Sequence, residues 1–389
     1  MVETRKDRGL AKLARLAAEP RSVVSLWDDV TPVLAEVIPH YTFPCYFTVD
    51  PASLLITSHY NPFMPELPRE LLALEYLQDD PFTLATVARS AAGVDTVHDA
   101  MGGDPTSSRR WQANAALGGT QEMIGALRTR DGATWGLVSL YRQADDPPFA
   151  AQDKLFLQQA AGHLAEGTRR ALLFGEAHDP DSPSAPGLIV LGEDWTVESS
   201  TSGAEQWLAE LPDAEDGRLP AAVLTVAGQA LRSARNGERP GEVAMARVLS
   251  RTGHWVVLHG AALQSGGDTR VAVIVEPAQP ARITSLLMSA YQLTERERDV
   301  TRRVLQGAST TDIAVGLLMS PHTVQQHLKS IFEKTGVRSR RELVGKVFLS
   351  HYEPRLRDNE HRVPQQKPLR GGPKDLPPGA EPVPWADAT

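Results

Sequence analysis

Residues 293–347 constrain the fold of this chain more than any other stretch, because they predict four short helices with sharp stops between them. Hydroxyl residues stand where helix N-caps are expected, a proline stands at a first helical position, and glycines stand where helices end. These signals are Thr294, Ser309, Ser320, Pro321, Ser339, Gly307 and Gly336. Apolar residues recur at helical spacing between them. The stretch therefore predicts one compact, all-helical unit.

The third of these predicted helices has two unlike faces. At about 100° per residue, Val324, Leu328 and Ile331 share one face, which predicts burial. The opposite face carries the polar side chains of His322, Gln325, Gln326 and Lys329. A helix–turn–helix unit places such a helix in the DNA major groove, where Gln pairs with adenine and Lys reaches guanine or phosphate. The pattern favours recognition of double-stranded DNA over a small helical bundle with polar residues outside.

The same stretch resembles the LuxR-type helix–turn–helix at the C-terminus of many bacterial transcription regulators. The matching residues are 293–297, Gly307, Ile313, Ala314, Leu317, 320–324, His327, Leu328, 336–340, Glu342 and Leu343. The resemblance implies that 321–334 is the recognition helix. It implies that the DNA contacts come from Ser320, His322, Thr323, Gln325, Gln326, His327, Lys329, Arg338 and Arg340. The first base-reading position is often Lys or Arg in the family, and Gln325 favours adenine there.

The family resemblance also implies an assembly. LuxR-type units use the fourth helix for dimer contacts, so a homodimer is expected. Leu343, Val344, Val347 and Phe348 supply an apolar face for it, part of which must pack inward. RNA polymerase and a small-molecule effector are further candidate partners of such a regulator.

The charge of the chain is distributed unevenly. The net formal charge is −8, yet residues 290–352 hold ten Lys and Arg against six Asp and Glu, which leaves +4 there. The remainder has 30 basic against 42 acidic residues, or −12. A basic C-terminal unit on an acidic body is expected when only one end of the protein meets phosphate.

Several classes of protein are disfavoured by composition and motifs. The single cysteine, Cys45, excludes an internal disulfide framework and a cysteine-rich zinc site, and it fits a reducing cytoplasm. Without a run of about 18 apolar residues, no membrane span or membrane partner is expected. The motifs of hydrolases, zinc proteases and nucleotide-binding enzymes are lacking. We therefore expect no enzyme activity, no catalytic residues, no metal and no cofactor.

The N-terminal part of the chain has the element order of a sensor domain. Residues 22–38 predict an amphipathic helix, two strands follow over 45–60, Asp131-Gly132 marks a hairpin, and a long helix covers 149–173. This order resembles a GAF-type domain. The resemblance includes the long closing helix, which follows a Pro-Phe-x-x-x-Asp segment from Pro148-Phe149 to Asp153. The resemblance implies an antiparallel sheet with a ligand pocket on one face; a scaffold that only dimerises is the alternative.

The candidate functional residues in this region can also be explained by ordinary structural roles. Five aromatic or imidazole side chains are candidates for a pocket, but core packing explains them better than ligand contact: Tyr46, His59, Tyr60, Trp111 and Trp135. Arg109-Arg110 near a glycine-rich turn could form an anion loop, but a solvated loop is the expectation. No Trp-x-x-x-Tyr set is present, so an acyl-homoserine lactone is not the expected ligand.

From residue 187 a second module is predicted, with two strands, two helices and three antiparallel strands. This order resembles a PAS-like domain, and a connector that binds nothing is the alternative. The predicted divisions are a leading helix at 1–20, a GAF-like sensor at 21–174, a linker at 175–186, a PAS-like domain at 187–278, a coupling helix at 279–291, a LuxR-type domain at 292–350 and a disordered Pro-rich tail at 351–389.

The predicted fold class is α+β: antiparallel-sheet sensor domains, GAF-like and then PAS-like, followed by an all-α four-helix LuxR-type helix–turn–helix domain. The predicted function is sequence-specific DNA binding by a bacterial transcription regulator, as a dimer and under the control of a small ligand. The alternative is a signalling or scaffold protein whose C-terminal helices mediate protein interaction.

Overall fold

The computed structural model describes residues 5–64, 67–173, 186–215, 218–236, 244–265, 268–278, 284 and 287–348. Three predictions fall largely outside these residues. They are the linker at 175–186, most of the coupling helix at 279–291 and the tail at 351–389. Among the described residues, no helix is long and apolar enough to cross a membrane.

The first module is a five-stranded antiparallel sheet between two layers of helices. Its strands are β1 (Cys45–Val49), β2 (Ile56–Tyr60), β3 (Val94–Thr96), β4 (Gln121–Arg128) and β5 (Thr134–Arg142), in the spatial order β2-β1-β5-β4-β3. Its helices are α1 (Arg5–Ala18), α2 (Val23–Val37), α3 (Arg69–Tyr76), α4 (Leu84–Arg89), α5 (Val97–Ala100), α6 (Arg109–Ala116) and α7 (Ala151–Leu173). The predicted hairpin forms, with Gly132 at φ +86°.

Each face of this sheet has its own hydrophobic cluster, because side chains alternate along a strand. Met123 and Leu127 of β4 pack against α1, α2 and α7, together with Trp27 and Phe156. Ile124 of β4 faces the other way, toward α3 and α4. The region 81–118, whose secondary structure the sequence leaves ambiguous, supplies β3, the short helices α4, α5 and α6, and a 3-10 helix at Pro105–Ser107.

The expectation of a solvated loop at Arg109-Arg110 is wrong. These two residues begin α6 behind an N-cap at Ser108. Arg110 is 4% exposed and donates hydrogen bonds to the Glu122 carboxylate from Nε at 2.9 Å and Nη2 at 2.8 Å. A local pattern cannot reveal this burial, because the partner carboxylate comes from a distant strand.

The second module is another five-stranded antiparallel sheet. Its strands are β6 (Gly187–Leu191), β7 (Val197–Ser200), β8 (Ala244–Leu249), β9 (Trp255–Ser265) and β10 (Asp268–Pro277), in the order β7-β6-β10-β9-β8. Its helices are α8 (Ser202–Glu210) and α9 (Ala221–Arg235). These elements follow the order and approximate bounds that the sequence predicts.

Helix α9 joins the two modules into one hydrophobic cluster. The helix is Ala-rich and buried on most sides, and its residues share a core with both sheets. A Cβ atom at Gly228 would lie 2.9 Å from the Tyr76 side chain of α3, and one at Gly260 would lie 2.7 Å from Val226. These approaches are closer than ordinary side-chain contacts, so the small residues allow the tight packing.

A buried ion pair also links the modules. Arg247 of β8 binds Asp50, which follows β1, through Nε at 2.8 Å and Nη2 at 2.6 Å. Its backbone N–H donates to the same carboxylate at 2.9 Å. The two residues are 5% and 1% exposed. Nearby, the Thr225 hydroxyl donates to the carbonyl of Ile56 at 2.8 Å.

Replacing one partner of this ion pair should destabilise the protein strongly. Arg247→Met leaves the Asp50 carboxylate buried without its cation, and such losses cost about 3–5 kcal/mol. Urea unfolding of the full-length protein measures the change. Arg218→Gln, which removes an exposed pair with Glu215, is the matched control and should change stability by at most about 1 kcal/mol. Similar effects of the two substitutions would contradict the importance of the buried pair.

Candidate nucleic-acid interface

The C-terminal domain consists of four helices around a single hydrophobic cluster. They are α10 (Glu295–Leu305), α11 (Thr310–Gly316), α12 (Pro321–Thr335) and α13 (Arg340–Phe348). Val300, Ile313, Val324 and Ile331 are among its most buried side chains. The three residues predicted to share the inner face of the third helix are all buried.

The helix boundaries follow the capping signals of the sequence. Thr294 and Glu297 form a reciprocal capping box at the start of α10, and Ser309 with Asp312 forms another at α11. Ser320 accepts the backbone N–H of Thr323 at 3.0 Å, which begins α12 with Pro321 at its first position. Gly336 ends α12 at φ +68°. The unit is therefore specified largely by local chemistry.

One carboxylate fixes the angle between α10 and α12. Glu297, 4% exposed, accepts hydrogen bonds from Lys334 Nζ at 2.6 Å and from the Ser330 hydroxyl at 2.6 Å. Burial by itself raises the pKa of Glu297, but these donors and the N–H of Thr294 outweigh it and lower that pKa to about 2. The sequence predicts the capping role. It does not predict the contact with α12, because that contact joins residues 33 or more positions apart.

The polar face of α12 is open to solvent. His322, Gln325, Gln326 and Lys329 are all exposed. Gln326 donates to His322 Nε2 at 3.1 Å, and Gln325 lies 3.4 Å from the Thr310 hydroxyl. No hydrogen bond or ion pair of the described residues joins this face to either sheet module. The described part of the chain therefore leaves these four side chains uncovered.

The other predicted contact residues differ in their exposure, and one of them makes hydrogen bonds within the domain. Ser320 and Arg338 are exposed, whereas Thr323 and His327 are half-buried. Arg340 is half-buried and donates to the carbonyl of Ala308 at 3.0 Å and to the Thr310 hydroxyl at 2.9 Å. It therefore ties α13 to the start of α11. The side chains of Val347 and Phe348, part of the predicted dimer face, lie outside the described residues.

Within the described residues, one hydrophobic cluster joins the helical domain to both sheet modules, and we call it the joint. The joint consists of Trp135 from β5, Trp255 from β9, and Leu287 and Ala290 from the helical residues before α10. All four are buried. Tyr291 packs at its edge. Three separate segments of the chain therefore share one hydrophobic cluster.

Polar contacts surround the joint. Arg169 of α7 donates to the carbonyl of Ala290, and Gln292 donates to the carboxylate of Glu166. Arg298 of α10 lies 3.9 Å from the carboxylate of Asp131 at the hairpin turn. Part of the closing helix of the first module is thus bonded to the chain that leads into the helical domain. Sequence spacing gives no signal of these long-range pairs.

Comparisons with known proteins agree with the C-terminal architecture. The sequence model of the family described as "Bacterial regulatory proteins, luxR family" matches residues 291–347. An HTH-type transcriptional regulator of Mycobacterium tuberculosis is 52% identical over 52 residues, which are 13% of this chain and 6% of that protein. The spore germination protein GerE of Bacillus subtilis is 38% identical over 52 residues, 13% of this chain and 70% of GerE.

The four helices with their exposed polar face define a LuxR-type helix–turn–helix domain. Through this domain the chain belongs to the luxR family of bacterial regulatory proteins. The chain spans only 6% of the length of the mycobacterial relative, so that likeness concerns the helical domain. A solved structure of the VqmA dimer of Vibrio cholerae is 19% identical, over 43% of this chain and 83% of that one, with a TM-score of 0.21.

The stability of the helical domain should depend on pH through Glu297. Because its pKa in the folded state is below the ordinary value of about 4.3, its contribution is present above that value and is lost as pH falls toward 2. Glu297→Gln should lower the free energy of unfolding by about 2 kcal/mol at pH 7. The difference between this variant and the parent protein, called the gap below, should close near pH 2. Thermal unfolding across pH measures the gap.

Asp299→Asn is the control for that series, since Asp299 lies on the same helix and pairs only along its surface. Its gap to the parent should stay small at every pH. A Glu297→Gln gap that does not change between pH 7 and pH 2 would contradict the role assigned to the carboxylate.

Proposed function

We propose that this protein is a sequence-specific DNA-binding transcription regulator that uses residues 321–334 as its recognition helix. The observation that carries the proposal is the exposed row of Gln325, Gln326 and Lys329 on a helix whose opposite face is locked into a core. Gln offers a donor and an acceptor to adenine, and Lys reaches guanine acceptors or phosphate. The relatives named transcriptional regulators support the same function.

We assign the remaining predicted contacts to positioning on the DNA backbone. Ser320, Thr323 and Arg338 lie near the ends of α12, where backbone N–H groups and cations commonly meet phosphates. His322 and His327 lie on the first two turns of the same helix. Arg340 positions α13 against the start of α11 through its bonds to Ala308 and Thr310.

We also propose that the protein acts as a homodimer on paired half-sites. Helix–turn–helix dimers read half-sites about 10–10.5 base pairs apart, so the relative position of two recognition helices decides affinity. The joint supports a means of control, since it ties the chain leading into α10 to both sheet modules. RNA polymerase is the proposed partner of the DNA-bound form.

The two sheet modules are proposed to serve as sensors, a GAF-like one at 21–174 and a PAS-like one at 187–278. The antiparallel topology of each sheet supports this assignment. A cavity on one face of the first sheet supports control by a small ligand. The shared core at α9 means that the modules would respond as a unit rather than one by one.

The test is fluorescence anisotropy of the full-length protein on DNA fragments from the region upstream of its own gene, with unrelated competitor DNA, across a salt series. Binding that resists competitor and weakens with salt is expected, with a slope that reports the number of neutralised phosphates. Binding that unrelated DNA displaces fully would count against sequence-specific regulation by these fragments.

Two substitutions on the recognition helix should have different consequences. Gln325→Ala should lose about 1–3 kcal/mol of discrimination at one base pair, since it removes a bidentate contact to a base. Lys329→Ala should weaken binding to all tested sequences if it contacts phosphate, with a salt slope smaller by about one. Anisotropy titrations on single-base variants of the bound fragment measure both.

Lys12→Ala, an exposed substitution on α1, is the control for lost positive charge and should leave DNA binding unchanged. If both recognition-helix variants bound like the parent protein, residues 321–334 would not be the DNA-reading helix.

A further inference from the structure

A cavity of about 100 Å³ lies between the first sheet and the helices on the face that packs toward α9. Its floor is formed by β1, β2 and β5, and its walls by α3, α4 and α6. Most of the lining is apolar, with contributions from Phe47, Ile56, Leu67, Leu71, Leu72 and Leu84. None of the five pocket candidates considered from the sequence alone lines it. A cavity of this size admits a molecule of only a few carbon atoms.

The mouth of the cavity is also apolar. Phe63 is 80% exposed, Leu117 is 52% exposed and Tyr41 is 40% exposed, and all three line the opening. The Tyr41 hydroxyl donates to the carbonyl of Leu117 at 3.0 Å, which joins two sides of the mouth. Large apolar side chains held open to water around a concave site are typical of a place where a ligand enters.

The polar part of the lining is charged and buried. Glu75 and Arg110 both face the cavity and are 7% and 4% exposed. Glu75 accepts the backbone N–H groups of Leu84 at 2.9 Å and Ala85 at 3.0 Å, while Arg110 Nη1 is farther away, at 3.4 Å. The Glu75 carboxylate is therefore held in place, and its ion pair with Arg110 is loose.

Arg110 is already committed to another carboxylate. Its Nε and Nη2 atoms bind the two oxygens of Glu122 in a fork, a geometry that uses the guanidinium as one unit. Asn114 and Tyr141 donate to the same carboxylate at 2.7 and 3.2 Å. Arg110 thus pairs with Glu122 more closely than with Glu75, and the two carboxylates share one guanidinium beside the cavity.

The charge balance of this cluster is negative. Glu75 and Glu122 face the single cation Arg110, and the carboxylate of Asp80 accepts the backbone N–H of Arg110 at 3.2 Å. Burial raises the pKa of Glu75, although Arg110 and the two N–H donors oppose the rise. A second buried cation would complete the pairing, whereas an added anion would face repulsion in a site of low dielectric constant.

We propose that this cavity binds a small organic cation, a protonated amine with a short apolar body, whose ammonium group donates hydrogen bonds to Glu75. The apolar body occupies the space between Leu71, Leu72 and Phe47, and the rim at Phe63 covers it. This proposal rests on the control of the regulator by a small ligand that is proposed above, and it names the chemical class of that ligand.

Three probes of similar size separate charge from shape: n-butylamine, 1-butanol and butyrate. Saturation-transfer NMR titrations on the full-length protein without DNA at pH 7 measure their dissociation constants. The amine should bind about tenfold more tightly than the alcohol, because a charge-assisted hydrogen bond replaces a neutral one. Butyrate should bind most weakly. Butyrate binding as tightly as the amine, or no binding of any probe at tens of millimolar, would overturn the proposal.

Substitutions test whether the Glu75 carboxylate is the group that binds the amine. Glu75→Gln keeps the shape and removes the charge, so the amine should lose about tenfold in affinity while the alcohol is unchanged. Glu36→Gln on α2, on the other side of the sheet, is the matched control and should change neither. If Glu75→Gln does not fold, the exposed rim residue serves instead: Phe63→Lys should weaken amine binding and Phe63→Glu should strengthen it. If neither Phe63→Lys nor Phe63→Glu changed the affinity for the amine, the proposal would be overturned.

The failure of this proposal is separable from the failure of the proposed function. Probe binding is measured without DNA, and DNA binding is measured without probe. A protein that binds its DNA specifically but no amine would keep the function and lose the ligand class. A protein that binds the amine but no specific DNA would keep the proposed ligand class and lose the proposed function.

Discussion

The burial of α9 between two sheets is the constraint on which the arrangement of the modules depends. Because its Ala residues and Gly228 carry little side-chain volume, both modules approach it closely, as at Gly228 against the Tyr76 side chain. The Asp50–Arg247 pair lies in the same contact region and must form at the same time, since either charge alone would be buried without a partner. The two sheets therefore behave as one folded body.

This shared body connects the cavity to the helical domain. The cavity lies on the face of the first sheet that packs toward α9, and the joint lies where β5, β9 and the chain before α10 meet. Tyr141 lines the cavity and Trp135 belongs to the joint, and both are on β5. A ligand that changed the packing around β5 would act on the joint through a single strand. The recognition face itself stays exposed, so such control would act on the placement of the helix rather than by covering it.

Glu297 gives the helical domain a comparable fixed point. A residue that only caps α10 would leave α12 free to tilt, but this carboxylate also holds Lys334 and Ser330 of α12. The same side chain thus satisfies a local backbone need and sets a tertiary angle. The exposed polar side chains of α12 depend on this contact for their position relative to α10.

The sequence by itself determined the helices and strands with strong local signals. Caps at Thr294 and Ser320, the turn at Asp131-Gly132 and the polar face at Gln325 all depend on residues close along the chain, and the structure has them where they are expected. Only the tertiary structure decided that Arg110 is buried against Glu122, that α9 serves both modules and that Arg169 holds the carbonyl of Ala290. The physical reason is that these contacts join distant segments, whose pairing follows from how whole layers pack and not from any spacing along one segment.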